Sequence, residues 1–143
     1  MPVVRNPQFY FKEGFCWSNV LTTYIKCRKK QKTVHSTEAM SLFSTTDCVP
    51  EYYMISIINS QFVAFYVDSF VNTTSHCTTG DAKLIPIIVP SYQQLDFFKF
   101  ISDKALKIKQ EESKCLISEK EAENMIYDIQ NELDIAVAKL YGI

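Results

Sequence analysis

Two stretches in the last third of the chain repeat apolar residues at spacings of three and four. Leu95, Phe98, Ile101, Ala105 and Ile108 mark the first stripe, and Ala122, Met125, Ile129, Leu133, Ala136 and Leu140 the second. That period predicts two amphipathic helices. Ser91 with Gln94, and Ser118 with Glu121, stand at capping-box spacing, so the helices are expected over residues 91–112 and 119–140, with Gly142 closing the second. A linker of only a few residues, ESKCLI, makes the pair an antiparallel hairpin, each helix zipping its narrow stripe against the other. Their remaining faces are dense in Lys and Glu, as an arm in water requires.

The first half of the chain has a different rhythm. QFYFK (8–12), TTYIKCRKK (22–30) and the looser TVHSTEAMSLFST (33–45) are rich in aromatic, threonine and β-branched residues, which predicts a small, mostly antiparallel sheet. Residues 51–71 look continuous, but Asn59 and Ser60 interrupt them, and Ser60 can cap a second segment. Two short helices at an angle follow, with Tyr53, Ile57 and Ile58 facing the core from the first and Phe62, Phe65, Tyr66 and Phe70 from the second. NTTSHCTTGD (72–81) is a loop by composition, with Gly80 as its tight point. KLIPIIVP (83–90) forms a short strand or extended segment, because Pro86 forbids a central paired position and Pro90 ends it. The fold class is therefore α+β: a small mostly antiparallel sheet packed with short helices (1–90), followed by a long antiparallel helical hairpin (91–143).

A chain of 143 residues, 47% hydrophobic and 22% charged, can bury one core and has no disordered composition. No apolar run reaches the length of a membrane span, and the opening MPVVRNPQFY lacks a signal-peptide core, so a cytoplasmic setting is the expectation. Cys16, Cys27, Cys48, Cys77 and Cys115 are odd in number and never in a CxxC pair, which suggests neither a disulfide framework nor a metal site. The net charge of −1 hides an asymmetry: residues 1–90 carry 8 Lys/Arg and 6 Asp/Glu, residues 91–143 carry 7 and 10. The basic excess is concentrated in Lys26-Cys27-Arg28-Lys29-Lys30-Gln31-Lys32, with Tyr24 just before it.

Only three glycines, Gly14, Gly80 and Gly142, leave no GxGxxG fingerprint, and no phosphate loop of the GxxxxGK type occurs. Asn6-Pro7-Gln8-Phe9 approaches the NPPF or NPPY signature of adenine methyltransferases, but Gln8 replaces a proline and it reads as a turn. Glu112-Ser113-Lys114 matches half of a metal-dependent nuclease motif without its Pro-Asp half, and His76-Cys77 lacks an orienting carboxylate. The reading is non-catalytic, with no catalytic residue, metal site or cofactor assigned. On a strand, Lys26, Arg28 and Lys30 would project from one face in a row suited to successive phosphates, with Lys29 and Lys32 beside them. An edge strand guarded by lysines against aggregation has the same sequence pattern. Trp17, Ser18, Asn72, Thr73, Thr74 and His76 look exposed and able to hydrogen-bond base edges; ordinary turn chemistry is the alternative.

Taken in order, YFKEGFCWSN (10–19), YYMISIINSQFVAFYV (52–67) with its central Asn59-Ser60, LIPIIVPSYQQL (84–95) and IQNELDIAVAKLYGI (129–143) resemble a target recognition domain of bacterial restriction-modification enzymes. The similarity is to the C-terminal specificity half of fused adenine methyltransferase/restriction enzymes and to half of a type I specificity subunit. It covers nearly the whole chain; Ile85 departs from the pattern by separating the leucine from the first proline. The resemblance implies double-stranded DNA as ligand, a sheet and loops lying in the major groove, long helices acting as a spacer, and a methyltransferase or restriction subunit, or a fused catalytic domain, as partner. Base-reading residues vary between such domains, so none is carried over. The hairpin also offers a surface for a homodimer, and a protein interaction module that uses the hairpin without intrinsic DNA binding is the alternative reading of the same pattern.

Overall fold

The computed structural model describes residues 6–20, 24–34, 36 and 39–143. Three strands, β1 (Gly14–Ser18), β2 (Arg28–Lys30) and β3 (Ala39–Leu42), form one antiparallel sheet in the order β2-β1-β3. Because β1 is central, both its edges are paired; Gly14 to Trp17 are buried and only Ser18 is exposed. Phe15 and Trp17 point to the helices, with Cys27 and Ile25 beside them, while Gly14, Cys16 and Ser18 point the other way.

The expected strand at 8–12 is not formed. Pro7 opens a 3-10 turn, Pro7–Phe9, and Phe11 takes a left-handed φ of 60°, so the backbone leaves the extended region just before the sheet begins. Pairing favours residues 14–18, whose alternation places Phe15 and Trp17 in the core, whereas Phe11 remains in solvent. In the segment expected at 22–30, only Arg28–Lys30 joins the ladder, and its first residues, 22 and 23, lie outside the described residues, as do His35, Thr37 and Glu38 of the third segment and residues 1–5.

The helices α1 (Glu51–Ile58) and α2 (Gln61–Tyr66) meet at the expected break. A π-helical turn, Val67–Val71, prolongs α2, and the two arms are bent by 61°. Tyr53, Ile57 and Ile58 face the core as expected. In the second arm the buried positions are Val63 and Val67, while Phe65 and Phe70 are exposed and stack edge-on with each other. Of the other two aromatic positions expected to face inward, Phe62 is half-buried against the core and stacks on Tyr141 of the last helix at 4.4 Å, and Tyr66 is half-buried. Asn59 joins helix to sheet: its side chain accepts from the Cys27 N–H (2.6 Å) and donates to the Cys27 carbonyl (2.8 Å).

The polar stretch expected to be loop throughout 72–81 ends in a four-residue helix, α3 (Thr79–Ala82), held by a Thr78/Asp81 capping box. Gly80 lies inside that helix at ordinary φ and is not a tight point. The expected extended segment begins late: Lys83 and Leu84 form a turn and Ile85 a bend that continue out of α3, and residues 86–90 run on without sheet partners, anchored where Tyr53 Oη donates to the Ile88 carbonyl (2.8 Å) and Tyr141 Oη to that of Pro86.

The hairpin follows the apolar stripes. Its helices α4 (Tyr92–Ser113) and α5 (Glu119–Tyr141) each start in a complete capping box, at Ser91 and Ser118. Phe98, Ile101 and Ile108 pack against Ala122, Ile129, Leu133 and Val137 along one seam. The base of the hairpin sits on the rest of the chain: Phe98 meets Tyr53 edge-to-face at 5.0 Å, and Gln130 Nε2 donates to the Asn59 carbonyl (3.1 Å). No single helix among the described residues is long and apolar enough to cross a membrane.

At the hairpin turn, the N–H of Leu116 bonds to the Glu111 carbonyl and that of Cys115 to the Glu112 carbonyl, both at 2.9 Å. This closure demands a left-handed residue, and Cys115 supplies it at φ 56° where glycine is usual. Relief of the Cβ penalty outweighs the extra unfolded-state freedom of glycine, so Cys115→Gly is expected to stabilise the chain by about 0.5 to 1 kcal/mol. Urea unfolding checks this; an unchanged or lower midpoint refutes it.

Candidate nucleic-acid interface

Arg28, Cys16 and Ser41 face one another across the three strands, since Cys16 pairs with both Arg28 and Ser41. They form one row on the outer face, turned away from the helices. The neighbouring rows are Lys30 with Gly14, and Ser18 with Ala39. Small side chains therefore pave the centre of this face. A cavity of about 290 Å³ opens there, with Cys16, Ala39 and Ser41 beneath it and Arg28, Lys30 and Thr33 around it.

The basic segment divides in two by environment. Lys26, Arg28, Lys29 and Lys32 are exposed. Lys26 Nζ rests 5.2 Å from the centre of the Tyr24 ring, and Arg28, Lys29 and Lys32 make no hydrogen bond or ion pair with a described residue. Lys30 is different: at 3% exposure its ammonium donates to the carbonyls of Lys12 (2.7 Å) and Thr33 (2.8 Å) and lies 5.5 Å from the Phe43 ring centre. The expected surface row Lys26–Arg28–Lys30 is thus corrected. The alternation of a strand would place Lys30 beside Arg28, but the chain folds over its end, and a long cationic side chain is the group that can reach two carbonyls there. Gly14 is needed at the same spot, because a Cβ would lie 2.5 Å from the Leu42 carbonyl oxygen and 2.6 Å from the Phe43 ring.

Trp17 is also corrected from an exposed base-reading residue to a core residue. It is 1% exposed, and its indole N–H donates to the Cys77 carbonyl at 3.0 Å. Burying a tryptophan requires a partner for that N–H, and the loop carbonyl is it. The same contact brings the 72–78 loop to the Ser18 end of β1, where Cys77 N–H also bonds to the Asn19 carbonyl (2.9 Å) and Val20 pairs with His76. Ser18, Thr73, Thr74 and His76 are exposed at that end. Asn72 is half-buried and occupied: it donates to the His76 carbonyl and to Asp81, and accepts from Thr74 N–H and Oγ1. Asn72 and Thr74 shape the loop, while Ser18, Thr73 and His76 are presented outward.

The residues with catalytic analogies sit elsewhere. Cys77 is fully buried, and burial, then the Asp81 charge, pushes its thiol up to about 11, while His76 faces solvent. Glu112 bonds to Lys109 (2.7 Å) near the hairpin turn. Among the described residues no cluster of three or more His, Cys, Asp and Glu is placed to hold a metal ion. Sequence reasoning missed the paving of small residues, Cys16, Ala39 and Ser41, and the role of Thr33; none carries a charge or motif that would single it out. Compared with models of known protein families and with curated proteins, the chain matches none.

Two outcomes follow. Lys30→Met leaves the Lys12 and Thr33 carbonyls without the donor that ties them together and should cost about 1 to 3 kcal/mol in thermal or urea unfolding, whereas Lys32→Met should change stability by less than about 0.5 kcal/mol. Equal effects would refute the division. The Asp81 carboxyl is held below its ordinary value of 3.8 by the Thr78 backbone N–H, then by the Thr78 hydroxyl and Asn72 amide. A depressed folded pKa contributes stability above the unfolded value and loses it as pH falls through the folded one. The melting-temperature gap between the parent and Asp81→Asn should therefore be widest near neutral pH and close below about pH 4; a gap that is constant with pH would refute the role of the charge.

Proposed function

We propose that this chain is a non-catalytic, sequence-specific DNA recognition module of a restriction-modification system, directing a methyltransferase or endonuclease supplied elsewhere in the polypeptide or complex. The observation that carries the reading is the set of exposed cations, Lys26, Arg28, Lys29 and Lys32, the side chains of the last three without a hydrogen-bond or ion-pair partner among the described residues, beside an outer sheet face whose cavity is lined by no helical residue. Free cations on a firm element suit phosphate contacts, which give affinity and orientation, and the outward Ser18, Thr73 and His76 at the end of β1 suit base edges.

The charge distribution supports the same orientation. All four ion pairs among the described residues lie on α4 and α5. There the cations are neutralised by neighbours, and α5 carries Glu119, Glu121, Glu123, Asp128, Glu132 and Asp134 against Lys120 and Lys139. Such a helix repels a polyanion, so the duplex would meet the sheet end and the hairpin would hold a partner or serve as a spacer. The latter role has its own support in Phe100, Tyr127 and Ile135, each more than half exposed on the hairpin. A protein interaction module without DNA binding is the second reading, and that exposed apolar surface favours it.

Binding to a pool of random-sequence duplexes, followed by fluorescence anisotropy, separates the two. Four phosphate contacts predict an affinity that falls about a hundredfold between 50 and 200 mM salt. Combined Lys26→Glu, Arg28→Glu, Lys29→Glu and Lys32→Glu should abolish binding at the lower salt without unfolding the chain, since Lys30 is retained. Undiminished binding by that variant, or no binding by the parent at low salt, would overturn the DNA reading.

A further inference from the structure

We propose that the cavity on the outer face of the sheet is a site for a single phosphate group, held by the Arg28 guanidinium and the Ser41 hydroxyl. The proposal deepens the DNA reading by naming the one backbone position at which a phosphodiester is enclosed instead of merely attracted. Three independent features converge on an anion. The floor is made of small side chains, Cys16, Ala39 and Ser41, so the space of about 290 Å³ is left open at the middle of the sheet, where a core-forming chain would ordinarily place bulk. Arg28, in register with Cys16, stands at its wall with a guanidinium that no described acceptor occupies. Lys30, a second wall residue, carries a buried charge met by two neutral carbonyls and the Phe43 ring, with no carboxylate opposite it among the described residues.

A cation buried against neutral dipoles leaves a positive potential in the space beside it, and that potential is stronger for being partly shielded from water. Arg28 adds a planar fork matched to two oxygens of one phosphate, a geometry that a lysine ammonium cannot reproduce. Ser41 has no hydrogen-bond partner among the described residues, so its hydroxyl is available as a donor to a third oxygen. Lys26 and Lys32 lie outside the cavity wall and would make looser contacts with neighbouring phosphates.

The test titrates the ¹⁵N-labelled full chain with inorganic phosphate, against chloride at matched ionic strength, and separately with the duplex pool. Saturable movement of the Cys16, Arg28 and Ser41 amide resonances by phosphate but not chloride is the expected result. Arg28→Lys, which keeps the charge, should weaken phosphate about fivefold or more, and Lys120→Gln, at an exposed position on α5, should leave it unchanged. The same resonances should move with duplex DNA and return when phosphate competes. Phosphate binding without DNA binding would uphold the pocket and overturn the DNA reading, placing the phosphate on a free small molecule. DNA binding without phosphate-dependent shifts, or with Arg28→Lys and Lys120→Gln equally weakened, would overturn the pocket and leave the DNA reading standing. Thermal unfolding of each variant shows whether a loss reflects the fold; since Arg28 is exposed, a parent-like melting temperature is expected.

Discussion

The carboxamide of Asn59, paired with both backbone groups of Cys27, is the contact on which the arrangement turns. It imitates a strand: the residue just before β2 has its N–H and C=O satisfied by a side chain at the end of a helix. Both groups would otherwise be buried unpaired, at a cost comparable to that of a lost hydrogen bond each. Ser60, fully buried, holds the adjacent joint by bonding to the Ile57 carbonyl and accepting from Val63 N–H. The bend is then locked from the far side, where Gln130 donates to the Asn59 carbonyl and Asp134 accepts from Gln61 N–H. Two adjacent polar residues thus tie sheet, bent helix pair and hairpin together.

This joint has an electrostatic consequence. By fastening the chain at Cys27 it turns Arg28, in register with Cys16, to the outer face of the sheet, while the acidic α5 lies at the other side of Asn59. The cations of α4 find carboxylates within the hairpin, those of the sheet do not, and Lys30 alone is drawn inward to serve as a clamp. The charge separation counted along the chain becomes a separation of faces. Among the described residues, the sheet end with its unpaired cations and shallow cavity thus stands apart from a helical arm rich in carboxylates.

The hairpin was the most legible part, because its signals are local. Capping boxes at Ser91 and Ser118, and stripes of period near 3.6, act within a few residues of themselves, and the observed helix limits fall within a residue of those expected. The Asn59-Ser60 break was legible for the same reason. The sheet was less so: residues 8–12 and 14–18 have similar strand character, and only the position of Phe15 and Trp17 against α1 decides which pairs. Likewise Trp17, Lys30 and Asn72 are residue types that look functional when seen singly. Each is occupied by a partner distant or newly adjacent in space: the Cys77 carbonyl, the Lys12 and Thr33 carbonyls, and Asp81.

By itself, then, the sequence determined the α+β class, the bent helix pair, the two capped helices and the excess of cations before residue 33, all properties set by neighbours within one or two turns. The tertiary structure alone decided which of those cations is free. A lysine's stem is long enough either to reach water or to fold inward, and the choice between Lys30 and its neighbours depends on unpaired carbonyls contributed by other segments. It also decided that small residues pave the outer face, since Cys16, Ala39 and Ser41 come together only through strand register, a long-range pairing that no local pattern encodes.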